Sequence, residues 1–303
     1  MQVPQLAIEA SLLGAEYATL GWAFSYDRVT TGYLNVAFGD LLILSSIGAL
    51  LVSRLFPPAF AFMIILVLVV CFYGLLRLCA HHLLLLPAAR GHEGPFRIVL
   101  TGLGLALCIN SVQQLTPGFR ELTWSTGVLH LHSPLPELRC GDVVMRPQDQ
   151  LVALSVLISC IVLLAAQTSR LGRAFPLLRD NPRLVRRLGL PIGRVRQWNG
   201  LAALLLGVLA ATSFAAHRSI GPTAGLHLTV FGFLVAVAGN NNPWRIGLVG
   251  LGVGLIETVL AGSVGGSMGM PSHWSTHLAL VALAIIAFAQ RETWRVRLVE
   301  LEQ

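Results

Sequence analysis

The 303-residue chain predicts an all-α fold, a polytopic integral membrane protein of about 8–9 transmembrane or re-entrant helices, on three observations. First, 55% of its residues are hydrophobic and 12% charged, and the mean hydropathy is +0.73, too apolar for a soluble domain. Second, apolar runs near the ~20 residues needed to cross ~30 Å of hydrocarbon recur along almost the whole length. Third, these runs are continuous rather than alternating, which excludes a closed β-barrel. They leave no room for a separate soluble module, so residues 1–303 read as one transmembrane domain.

The expected spans are 6–26, 36–56, 59–79, 98–116, 149–168, 198–216, 223–239, 246–262 and 274–290. The first reads as a retained helix rather than a signal peptide. It lacks a basic leader, Glu9 and Glu16 interrupt it, and no small-residue cleavage site follows. The 223–239 run is short for a crossing and reads as a span, a broken helix or a re-entrant one. Leu83 to Pro87, between Arg77 and Arg90, reads as an interfacial helix.

Charge sets the orientation. All 21 basic residues are arginine, and the densest group lies in the 168–197 loop, where eight arginines face the single acid Asp180. Placing that loop in the cytosol and alternating the crossings also puts Arg28, Arg77, Arg90, Arg97, Arg245, Arg291, Arg295 and Arg297 inside. Only Arg54, Arg120, Arg139, Arg146 and Arg218 fall outside, as the positive-inside rule requires. The N-terminus is then outside and the C-terminus inside. The net charge of +7 reports this retention in the cytosol, and no nucleic-acid partner is expected.

The loop also encodes a short helix. Asn181 can cap it, Pro182 fits its first position, and Gly189 fits the left-handed position beyond its last turn. A capped, arginine-rich helix on the cytosolic face can dock a soluble partner. The external 117–148 loop holds four prolines and an alternating Gly127–Ser133 core, which reads as a small hairpin lid.

Candidate path residues are the polar side chains in or beside spans: Asn35, Asp40 and Glu257, with Glu16 nearer the outer end. An acid at the bilayer centre costs ~2.5–3.5 kcal/mol on insertion scales, so each must face protein or a wet cavity. Glu257 fits a polar lining or an interhelical hydrogen bond equally; Glu16 fits the hydrogen bond better. Gly250 and Gly254 form a GxxxG on the Glu257 span, a spacing that favours close helix packing.

Other patterns point to no chemistry. Gly265–Gly269 has the nucleophile-elbow spacing around Ser267, with His273 and His277 nearby, but it sits in a glycine-rich loop rather than between a strand and a helix. An intramembrane serine hydrolase is therefore not expected. His130 and His132 lack a third ligand, the cysteines lack a zinc or disulfide spacing, and no metal site is expected. A Walker motif is impossible without lysine, so energy from ATP must enter through another subunit.

Several stretches, in order, resemble the permease family of branched-chain amino acid type ABC importers, in its LivH-like branch. Tyr33–Ala49 is similar to that branch's Leu-Asn-Phe-Ala-His-Gly-Asp signature, matching at Leu34, Asn35, Ala37, Gly39 and Asp40, with Phe38 in place of histidine. Ser11–Tyr26 resembles the family's first helix, Arg170–Leu190 its cytosolic loop, and Gly247–Ala261 its glycine-rich helix with a glutamate. The family's Gly-Gly-x-Gly-Ser turn is replaced here by Gly239-Asn-Asn-Asn-Pro-Trp244.

The resemblance implies a permease subunit of an ATP-driven importer for branched-chain or other small amino acids or amides. It also implies a bacterial inner-membrane location, a second permease subunit, two cytosolic ATPases and an external substrate-binding protein. Asp180, Asn181, Pro182, Arg183, Arg186, Arg187 and Gly189 would form the ATPase-coupling element. No cofactor is expected on this chain, since ATP and magnesium would sit on the ATPase subunits. The alternative is a secondary transporter or facilitator working without ATP.

Overall fold

The computed structural model describes residues 3–53, 61–85, 94–115, 138–140, 143–180, 188–189, 191–217, 224–260, 280–281 and 283–285. The helices are α1 (Val3–Thr31), α2 (Phe38–Ser53), α3 (Ala61–Cys79), α4 (Gly94–Leu115), α5 (Pro147–Thr168), α6 (Phe175–Asp180), α7 (Ile192–His217), α8 (Ala224–Ala238) and α9 (Pro243–Val259). The first eight expected spans each fall on one of the longer helices; the ninth, 274–290, lies mostly outside the described residues. Among the described residues, three segments are long and apolar enough to cross a membrane: Phe96–Leu115, Asp149–Thr168 and Ile192–Ala215.

The centre of the bundle is α1. Every residue from Glu16 to Asp27 is buried, so this helix has no free face over that stretch. It packs against α5, α7, α8 and α9. The outer helices α4 and α5 bury only one side each, and their outward leucines and valines suit lipid or another apolar surface.

The 223–239 segment is one unbroken helix, α8, of 15 residues. At 1.5 Å per residue it reaches about 22 Å, short of a ~30 Å hydrocarbon core. Of the expected interfacial helix at 83–87, residues 83–85 continue α3 as part of a π-helical turn, Ala80–Leu85, and residues 86–87 lie outside the described residues.

Asparagine rather than glycine closes α8. Asn240 and Asn241 take left-handed φ values of 53° and 50°, which asparagine tolerates better than other non-glycine residues. The Asn241 amide donates to the Ala236 carbonyl at 2.9 Å and that of Asn240 to Val237 at 2.8 Å, the paired bonds of a Schellman motif. Asn242 then caps α9 by accepting from the Trp244 amide, with Pro243 at the start of the helix. The substituted turn thus breaks the chain between two helices by asparagine chemistry alone.

Two loop elements went unforeseen in the sequence. Among the described residues, strands β1 (Leu138–Cys140) and β2 (Val143–Met145) form a two-stranded antiparallel ribbon. It lies C-terminal to the expected 127–133 strand, which is outside the described residues, and Gln5 of α1 bonds both backbone groups of Val144. In the arginine-rich loop, α6 spans 175–180, while residues 181–187 of the expected helix lie outside the described residues.

Candidate functional site: the polar core around α1

Glu257, on α9, is buried and accepts a 2.5 Å hydrogen bond from the Tyr17 hydroxyl of α1. Tyr17 in turn stacks on Phe231 of α8, with ring centroids 4.7 Å apart and planes 20° from parallel. The acid therefore links two helices. Gly250 and Gly254 lie on the same interface: a Cβ at Gly254 would come within 2.2 Å of the Gly14 nitrogen, and one at Gly250 within 2.5 Å of the Ala18 nitrogen. Small residues here let the backbones of α1 and α9 touch. Glu16 is buried on α1 as well.

Asp40 stands in a different setting. It lies in the first turn of α2, which meets the first turn of α8 through two glycines. A Cβ at Gly39 would overlap the Gly225 carbonyl oxygen, and a Cβ at Gly225 would overlap the Asp40 carboxylate. Thr229 of α8 accepts from the Gly39 amide at 2.8 Å and donates to the Gly225 carbonyl at 3.1 Å, pinning the two helix starts together. Asp40 is 1% exposed and Asn35 5% exposed, yet Oδ2 of the one and Oδ1 of the other find no donor among the described residues. Two buried acceptors without donors, beside two helix starts, are costly to keep in a structural role alone.

A third cluster joins one end of α1 to its neighbours. Asp27 pairs with Arg77 of α3 at 2.5 Å, and Arg77 also donates to the Gly200 carbonyl of α7 at 2.8 Å. Nearby, Tyr33 stacks on His81 and lies 2.5 Å from its Nδ1. Sequence reading treated Arg77 only as a topology marker. The missed signal was an acid and a base at the ends of the first and third spans, both assigned to one side.

The remaining expected residues divide as follows. Gly189 has φ +68°, the left-handed conformation foreseen for it. Asp180 ends α6, while Asn181, Pro182, Arg183, Arg186 and Arg187 lie outside the described residues. So do Ser267, His273, His277, His130 and His132. Among the described residues no group of three or more His, Cys, Asp or Glu side chains could hold a metal.

A mainly helical bundle with apolar outer faces and buried polar side chains fits a membrane protein. The chain belongs to the family described as the branched-chain amino acid transport system permease component, which it matches over residues 13–288. In fold it is similar to a chain of PsaBC from Streptococcus pneumoniae, solved in complex with Fab. The TM-score is 0.53 at 13% identity, covering 94% of this chain and 90% of that one. No significant match was found among curated proteins. The chain is thus a permease component of an ABC transporter's membrane part.

Proposed function

We propose that the protein is the membrane-spanning subunit of an ATP-driven importer carrying branched-chain or other small amino acids or amides across a bacterial inner membrane. The whole chain, 1–303, serves as one transmembrane domain with its N-terminus periplasmic and its C-terminus cytosolic. It works with a second permease subunit, an external binding protein and two cytosolic ATPases that hold ATP and magnesium; it binds no cofactor itself.

One observation supports the path most: the α2–α8 junction, where Asp40 and Asn35 keep unmet acceptors next to a glycine-sealed contact. Acceptors of this kind suit donor groups such as an ammonium or amide. Separating Gly39 from Gly225 would open the junction, and closing it would seal the path behind the substrate.

Copurification and uptake test the assignment together. Expected is an ATPase bound to the purified complex and uptake into proteoliposomes that stops when ATP is withheld. Uptake that persists without any ATPase would instead make the protein a facilitator or secondary transporter.

A further inference from the structure

The central helix is also the helix that the arginine-rich loop touches. Tyr26, near the end of α1, stacks on Phe175 of α6 with centroids 4.2 Å apart and planes 20° from parallel, and both residues are almost wholly buried. Beside this stack lies a small apolar cluster separate from the main core. Its buried members are Ala174 and Val195, with Val29 of α1, Leu177 of α6 and Ile192 of α7 packed on them. The same patch thus holds the end of α1, the loop and the start of α7.

The loop is stiff where it makes this contact. Gly172 sits so close to the end of α5 that a Cβ would overlap the Ala166 carbonyl. Ser169 clamps the turn: its hydroxyl donates to Ala166 at 3.0 Å and accepts from the Gly172 amide at 2.9 Å. A displacement of this segment cannot be absorbed by slack before it reaches Tyr26.

Above the stack, α1 has no compliant layer either. Trp22 donates to the Pro243 carbonyl at the start of α9 at 2.7 Å, and Ser25 bonds Asn241 in the turn before it. Phe24 packs edge-on against Phe38 at the start of α2 and Phe233 of α8, and Gly232 of α8 lies against Leu20 and Phe24. One helix therefore touches both the loop and the two elements that meet at the Asp40 junction. Close-packed contacts of this kind move as discrete bodies rather than deforming continuously.

We propose that Tyr26 and Phe175 are positioning residues that make α1 the receiver of ATPase motion, carrying it from the loop to the α2–α8 junction. This rests on the ATP-driven permease assignment above, and the experiment separates the two. The full complex, with its ATPase subunits, is reconstituted in proteoliposomes, and substrate moved per ATP hydrolysed is measured. Phe175→Ala is expected to lower that ratio about tenfold while ATPase subunits remain bound, and Phe175→Tyr to restore it. An unchanged ratio in Phe175→Ala overturns the proposal.

A second arm covers a failure of Phe175→Ala to fold. In a background lacking the five native cysteines, Tyr26→Cys and Phe175→Cys are joined by a short bifunctional thiol reagent. If the contact carries the motion, the unjoined double-cysteine complex moves about tenfold less substrate per ATP hydrolysed than wild type, as Phe175→Ala does, and joining recovers most of that ratio; a ratio that joining leaves unchanged overturns the proposal. Transport blocked by joining overturns the proposal. Wild-type uptake that ignores ATP overturns the importer assignment itself, and this inference with it.

Discussion

Two buried acids in this bundle are set up in opposite ways. Glu257 meets a tyrosine hydroxyl at a glycine-lined interface between α1 and α9. Asp40 sits at an equally tight glycine contact between α2 and α8, yet one of its oxygens has no donor among the described residues. Burial of polarity is common to both, and only the partner differs. A satisfied acid tightens packing, whereas an unsatisfied one keeps a local cost that folding alone does not repay. On this comparison we propose that Glu257 serves architecture and Asp40 the path.

The largest expected effect comes from adding bulk to either contact. Gly39→Val puts branched carbons into the Gly225 carbonyl, and Gly254→Val puts them into the Gly14 backbone. Neither obstacle is the far end of a flexible side chain, so helices must separate at a cost above the ~1–3 kcal/mol of ordinary overpacking. Folded yield by size-exclusion chromatography in detergent is expected to collapse for both. Normal yield of Gly39→Val would show that the α2–α8 contact is looser than its geometry states.

The charge of the loop comes next. Replacing Arg183, Arg186 and Arg187 together by Ala should leave folded yield intact but weaken ATPase association, reducing ATP-driven uptake by about tenfold or more. Unchanged binding and uptake would remove those arginines from coupling.

Smaller still is the response at the α1–α9 interface. Glu257→Gln keeps an acceptor for Tyr17, so uptake and stability should stay close to wild type. Glu257→Leu strands the buried hydroxyl and should cost ~1–3 kcal/mol, read as a lower melting temperature. Loss of uptake in the glutamine variant at normal stability would move Glu257 from architecture to the path.

Much of this fold was legible in the sequence because hydropathy and length decide membrane crossings locally. The first eight expected spans each fell on a helix, the Gly250–Gly254 spacing marked a contact, and Gly189 took the left-handed turn foreseen for it. What stayed hidden depends on partners far away in the chain. Tyr17 and Glu257 are 240 positions apart, and Gly39 and Thr229 are 190 apart. No periodicity reports such pairings, so the sequence could name Asp40 and Glu257 as candidates without separating their roles. The asparagine turn was visible in the sequence only as a departure from the family's glycine motif; its geometry was not, because asparagine reaches the left-handed conformation by tolerating it. For α6, Pro176 near the helix start was a readable signal that went unused.

The contrast between the two acids is tested most directly by ATP-driven uptake in proteoliposomes carrying matched amounts of folded Asp40→Asn and Glu257→Gln complexes. Asp40→Asn should be at least as stable as wild type, since a neutral amide is cheaper to bury than an unpaired carboxylate, yet lose uptake by about tenfold. Glu257→Gln should retain most of it. Full uptake by Asp40→Asn, or a greater loss in Glu257→Gln, would contradict the assignment of the path to the α2–α8 junction.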